Sequence, residues 1–307
     1  MTDKDEGKMA EHQSTPQLDS LVASARSAMA AAGEQSTFEL PYAAPDHRPN
    51  PAVEPFDKVR GYLLGASGLL LLLTTLASSS GLHGRAQASL LDTSLVHSVL
   101  WPAIAIALIL GAAFSLRRDQ LSARRQRIIS IYAIPATALM ACAITLASGF
   151  LAISATILAT IASLLSLYGV LQLNRNTART RLERWATDAP ISFLAGSSLV
   201  YTLQLWFAAA GWNDGGHGIH AALVTAGVAV LAAAVAHSER GRHAFASGFG
   251  ICMIAAAIQG WLNGSAPLWV CAIWIFMALL VFLMAENRRF QISHAEHRAQ
   301  RGKPIEF

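Results

Sequence analysis

Residues 96–127 read VHSVLWPAIAIALILGAAFSLRRDQLSARRQR. No charged side chain occurs from Val96 to Leu116, a run long enough to cross a hydrocarbon core of about 30 Å as a helix. Arg117, Arg118, Arg124, Arg125 and Arg127 follow it. An apolar run that ends in clustered arginines is the pattern of a transmembrane helix that stops on the cytoplasmic side. Working outward, the pattern recurs in eight runs: approximately Gly61 to Ser80, Val96 to Leu116, Ile128 to Ser148, Phe150 to Leu173, Pro190 to Ala210, Ile219 to His237, Ala244 to Leu262 and Leu268 to Ala285. Backbone amides in lipid must be satisfied within a segment, and runs rich in Ala and Leu without period-two alternation do not form a barrel. The expected fold class is all-α: a polytopic membrane bundle of about eight transmembrane helices.

Charge placement tests that number. Lys58 and Arg60 precede the first run, the arginines of 117–127 follow the second, and Arg175, Arg179, Arg181 and Arg184 follow the fourth. Arg240 and Arg242 follow the sixth, and Arg288, Arg289, Arg298, Arg301 and Lys303 the eighth, whereas the other breaks hold only Arg85. Eighteen basic residues to one, alternating without exception, place both termini in the cytoplasm, because one missed helix would invert everything after it. The composition agrees: 53% of the 307 residues are hydrophobic and 14% charged. The net charge of +4 comes from these helix-end clusters rather than from a nucleic-acid-binding face. Ten acidic residues lie before position 58.

The expected domains are a disordered, proline-rich cytoplasmic tail over 1–57, a transmembrane domain over 58–287 and a basic C-terminal tail over 288–307. Pro41, Pro45, Pro49, Pro51 and Pro55 prevent a regular helix at the end of the first tail, in which only Leu18 to Ala32 carries a helix-favouring pattern. The first apolar run begins too late for a cleaved signal peptide. Cys142, Cys252 and Cys271 fall in apolar runs without paired spacing and read as small buried hydrophobes.

Ionisable residues at mid-membrane would mark a pump or proton relay, and none lies near the centre of a run. Asp188, just before Pro190, reads as an ordinary acidic residue at a helix start. The neutral polar residues form stripes: Thr156, Thr160, Ser163 and Ser166 on the fourth helix, and Ser197, Tyr201 and Gln204 on the fifth. Close helix packing is their ordinary use, as for Gly61 and Gly65, and a ligand-lining face is the alternative. Gln204 and Gln259 are better ligand candidates, since an amide deep in an apolar run needs a partner. His83, His97, His217 and His220 map to the outer side, and His217 with His220 are weak metal or haem-ligand candidates, with Asp214 as a third group. Trp101, Trp206, Trp212, Trp261, Trp269 and Trp274 also fall on the outer half, leaving Trp185 on the other side. An aromatic belt accounts for Trp212, Trp261 and Trp269; Trp101, Trp206 and Trp274 lie deeper and either continue the belt or wall a pocket for a flat ligand.

The segment WATDAPISFLAGSSLVYTLQLWFAAAGW, Trp185 to Trp212, resembles the larger bacterial relatives of the tryptophan-rich sensory proteins, the TspO/MBR group. Pro190, Ser192, Gly196, Thr202, Gly211 and Trp212 fill the places of the family's Pro-x-Ser-x-x-x-Gly, its later Thr and its closing Gly-Trp. Trp101 and Pro102 resemble the start of the family's Ile-Trp helix. Ser197 stands where the family has a Trp, and small members have five helices rather than eight. The resemblance implies a bacterial plasma-membrane protein that binds a porphyrin, haem included, or another flat lipophile; no nucleophile, base and carboxylate converge in the sequence, so an enzyme is not expected. The ligand candidates, from the resemblance together with the stripes, amides and deep tryptophans above, are Trp101, Pro190, Ser192, Gly196, Tyr201, Gln204, Trp206, Gln259 and Trp274. The expected partners are the bilayer, a lipophilic small molecule and a second copy of the chain, but no nucleic acid. A small neutral-solute permease and a non-enzymatic membrane scaffold are the competing readings.

Overall fold

Helix formation follows from the apolar runs, and the polar residues beside them decide where each helix begins. The computed structural model describes residues 48–80, 89–147, 151–239 and 241–301. The tail over 1–47, His83, Arg85, Arg240 and Lys303 lie outside the described residues. The chain divides into two compact units. The smaller joins Met1–Leu40 with His294–Phe307, and the larger is Pro41–Ser293. Within the larger unit run α1 (Pro55–Ser79), α2 (Ser94–Ser115), α3 (Arg124–Ala147), α4 (Ala152–Arg175), α5 (Ala189–Ala209), α6 (Gly218–Ala236), α7 (His243–Leu262) and the start of α8 (Leu268–Gln300). All eight are long and apolar enough to cross a membrane, α5 and α6 together with the short turns that lead into them. No strand occurs among the described residues. The eight apolar runs are therefore the eight helices, and the protein is an integral membrane helical bundle.

Helix α1 starts six residues before its apolar run because Pro55 sits in its first turn. The Glu54 and Asp57 side chains each accept from the other's backbone N–H in a capping box. This start is tied down. Asp57 is buried and accepts from Arg60 Nη1 at 2.8 Å and from Arg127 Nε at 2.8 Å and Nη2 at 2.7 Å. Arg127 also donates to Ala52 O, and Asn50 to Asp119 O. Residues 48–57, placed in the disordered tail by composition, thus form a strap bound to the α2–α3 loop and the start of α3.

Helix α5 is the axis of the bundle. Buried residues make up 78% of its most apolar window, against 33% for α1 and for α8, and it touches α2, α3, α4, α6 and α7. Helix α1 packs on α2 and α3, α3 on α4, and α6 on α7. Helix α8 joins them through Trp274 Nε1, which donates to Thr225 Oγ1 at 3.3 Å, and through Met284 O beside His237 Nδ1 at 3.2 Å.

Small residues line the closest helix contacts, most plainly on α6. On α6, Gly218, Ala221, Ala222, Thr225, Ala229, Ala232, Ala233 and Ala236 are buried, while Ile219, Leu223 and Leu231 are exposed. Lipid tails are as apolar as leucine, so burying a large side chain gains little, whereas a small one lets backbones approach. Helices α5 and α7 come close together at their glycines. A Cβ on Gly196 would stand 2.1 Å from Phe245 O, and one on Gly248 2.5 Å from Phe193 O.

The polar stripe of α4 faces α5. Ser163 Oγ lies 2.8 Å from Thr202 Oγ1, Ser166 Oγ 3.3 Å from Ser198 Oγ, and Thr160 Oγ1 accepts from Trp206 Nε1 at 3.0 Å. Thr160, Ser166 and Ser198 also donate to carbonyls of their own helices, whereas Thr202 Oγ1 donates across to Ala159 O of α4 at 3.1 Å. Gly61 and Gly65 likewise serve packing, against Leu116 and Ala112 of α2. One cysteine departs from expectation: Cys252 and Cys271 are buried, but Cys142 lies on an exposed face.

Candidate functional site

At the arginine-poor end, α2 and α5 bring three rings together. Spacing of four puts His97 and Trp101 on one face of α2, with ring centroids 6.2 Å apart. Tyr201 of α5 meets both, edge-to-face with Trp101 at 5.4 Å and tilted to His97 at 5.8 Å. Trp101 and Tyr201 are buried. The Nε2 atom of His97 is also buried, yet has no hydrogen-bond partner among the described residues. Such an atom calls for an explanation, because an unsatisfied buried nitrogen costs about 1–3 kcal/mol.

Gln204, one turn along α5, closes this end. Its Oε1 accepts from Thr93 Oγ1 at 2.6 Å and from Thr93 N at 3.3 Å, which pins the start of α2 to α5. Reading the sequence, its amide needed a partner; the structure supplies one from within the chain. Trp206 lies on a different face of α5, half-exposed and bound to Thr160 of α4, away from the α2 seam. Trp274 is fully buried between α8 and α6. Gly196 is the α5–α7 contact point, and Pro190 lines a crevice of about 10 Å³ with Leu64, Leu108 and Gln126, little more than a water's room. Ser192 is buried with no hydroxyl partner among the described residues, and Gln259 is half-buried on α7. Of the nine candidates, then, Trp101 and Tyr201 are in ring contact with each other, and Gln204 lies one turn further along α5.

A second aromatic group sits in the α5–α6 connection. Trp212 stacks on His217 at 6.1 Å and 12°, and lies 5.7 Å from His220 and 5.1 Å from Phe207. His217 Nδ1 is 3.3 Å from Asp214 Oδ1, and the two histidine rings are 6.5 Å apart. Among the described residues no three His, Cys, Asp or Glu side chains gather as a metal site.

No family model, curated protein or solved structure matches this chain.

The opposite, arginine-rich end holds what sequence reading passed over. One π-helical turn, Arg184–Asp188, leads into α5, just before Pro190, which has no N–H to continue a regular ladder. That turn carries Asp188 inward between two guanidiniums: Oδ1 accepts from Arg125 Nη2, and Oδ2 lies 3.5 Å from Arg242 Nη1. Arg125 also reaches Glu183 at 3.3 Å, and Arg242 reaches Glu239 at 2.6 Å and Asn174 Oδ1 at 2.6 and 2.8 Å. Burial pushes the Glu239 carboxyl above its ordinary range, against the opposing pull of Arg242. Asp188 is therefore not an ordinary acid at a helix start but the hub of a buried ion network joining α3, α4, α5 and α7. The sequence signal was Pro190 after it; its partners lie too far along the chain to be read from spacing.

Proposed function

We propose that this is a bacterial plasma-membrane protein with its arginine-rich end and both termini in the cytoplasm, binding a flat lipophilic molecule of the porphyrin class at the outer end of the α2–α5 seam. On this reading it resembles the tryptophan-rich sensory proteins in role as in the Pro190 to Trp212 segment. The observation that supports it is the open Nε2 of His97, buried beside the Trp101 and Tyr201 rings. Those rings offer stacking surface, and the imidazole offers an axial nitrogen to a haem iron or a hydrogen bond to a metal-free ligand.

The test is tryptophan fluorescence of the purified protein titrated with haem and with protoporphyrin. Saturable quenching by both is expected. Trp101→Leu should weaken both by roughly five- to tenfold, the worth of one stacked ring. Trp206→Leu should leave both unchanged, since that ring faces another way. His97→Ala should weaken haem more than protoporphyrin and shift the Soret band. Quenching indifferent to Trp101 and His97 would move the site elsewhere, and no saturable quenching would favour the permease or scaffold reading.

Orientation has its own check. A reporter active only outside the cytoplasm should be active when fused after Trp212 and silent after Arg242, because the arginine clusters alternate across α6. Activity after Arg242 would overturn the assignment.

A further inference from the structure

Ahead of α2, residues 89–93 are not helical, yet Leu90 and Leu91 are fully buried. Within α2 the next large apolar residues do the opposite: Leu95 and Val99 are exposed by 47 and 72%. Non-helical backbone in a membrane protein is tolerated where protein encloses it or where it borders a cavity. Hydrogen bonds hold this segment down. The Leu90 N–H donates to Trp212 O of the α5–α6 connection at 2.8 Å, and Thr93 donates to Gln204 Oε1 from its hydroxyl and its N–H. Against them stands the Ser89 hydroxyl, buried with no partner among the described residues. A polar atom sealed without a partner would regain one in water, which lowers the cost of lifting the segment.

The segment sits over the aromatic cluster. Thr93 stands one helical turn before His97 on α2, and Gln204 one turn beyond Tyr201 on α5. The Thr93–Gln204 bond therefore crosses the α2–α5 seam one turn nearer the arginine-poor end than the His97–Tyr201 contact does. Below it the cluster is closed: Trp101 and Tyr201 are 1 and 4% exposed, and His97 Nε2 is sealed. Anything that reaches that nitrogen needs part of the structure to move. Shifting α2 or α5 would break packing along a whole helix, whereas lifting a short non-helical segment breaks only local contacts.

We propose that residues 89–93 are a plug that lifts from the end of the α2–α5 seam and opens the His97, Trp101 and Tyr201 cluster to water at the arginine-poor end, so that a ligand enters from that side. As a gate for a flat lipophile the plug rests on the reading of that cluster as the ligand site; its lifting is measurable without a ligand.

Ser89→Cys in a Cys142→Ala background places a reporter thiol in the plug, since Cys252 and Cys271 are buried in the bundle. In full-length protein in neutral detergent a charged maleimide should modify it slowly. Leu90→Ala should speed that reaction about tenfold or more, because the contacts it removes stabilise only the docked plug. Leu108→Ala, at a buried leucine inside α2, should lower the melting temperature further than Leu90→Ala does and leave the thiol slow. Protoporphyrin should quench tryptophan fluorescence faster in the Leu90→Ala protein and also dissociate faster, with its affinity little changed. A thiol rate that Leu90→Ala leaves unchanged, or raises no more than Leu108→Ala does, would overturn the plug. A faster thiol with an unchanged rate of quenching would overturn the gate and bring the ligand in through the bilayer. If the parent shows no saturable quenching, the porphyrin reading falls by itself, and the thiol rates still decide for or against the lifting plug.

Discussion

Asp188→Leu should destabilise the protein by about 3 kcal/mol, read as a clear fall in melting temperature in detergent, because it takes the shared carboxylate from two buried guanidiniums and leaves each with one counter-ion, Glu183 for Arg125 and Glu239 for Arg242. Arg125 and Arg242 are both buried with Asp188 between them, and guanidinium N–H groups that lose an acceptor there cannot regain water without opening the helix ends around them. The individual pairs are not the source of net stability, since desolvation offsets most of what their attraction contributes. The cost lies in leaving the network half made. A double variant tests that distinction. Arg125→Leu together with Asp188→Leu should be less damaging than the sum of the two single changes, a coupling that neighbours in one network show and distant sites do not. A melting temperature unchanged by Asp188→Leu would show that the network does not hold the helix ends together.

Gly196→Ala should be nearly as harmful although it adds one methyl group. Its Cβ would stand 2.1 Å from Phe245 O and 2.8 Å from Phe249 N, and these are backbone atoms of α7, so no side chain can swing aside. Helix α7 would have to move off α5, losing the facing contact where Gly248 lies against Phe193 O. Overpacking of this kind costs about 3 kcal/mol or more when the backbone must shift. Gly227→Ala is the companion measurement. A Cβ there meets nothing within 4 Å, so its melting temperature should hold or rise, alanine being the better helix former. If Gly196→Ala melts like Gly227→Ala, the α5–α7 crossing is not as close as described.

The candidate site was partly legible in the sequence. His97 and Trp101 stand four apart at the start of one apolar run, a spacing that any helix turns into a shared face. That Tyr201 would meet them was not readable, because the choice of α2 rather than α4 or α7 as the neighbour of that α5 face depends on how eight helices pack. Gln204 illustrates the same limit. Its need for a partner follows from chemistry, but the partner, Thr93, lies 111 residues away. The role of Asp188 is hidden from the sequence for the same reason: its guanidiniums lie 63 and 54 residues off, in opposite directions along the chain.

What the sequence determines by itself is the number of crossings, their approximate limits and the alternation of charge at their ends. Lipid imposes these on each segment separately, through length, hydropathy and hydrogen bonding within the helix. Rotation of each helix about its axis was decided only by the tertiary structure. In a soluble bundle the polar face marks the outside, but in a membrane both faces are apolar, so hydrophobicity that inserts a helix does not orient it. Cys142 is exposed while Cys252 and Cys271 are buried, though all three stand in apolar runs. Trp206 faces outward while Trp274 is sealed inside. Small residues mark the buried faces, as along α6, but a stripe of alanines fits several neighbours equally well, and only the packed bundle selects among them.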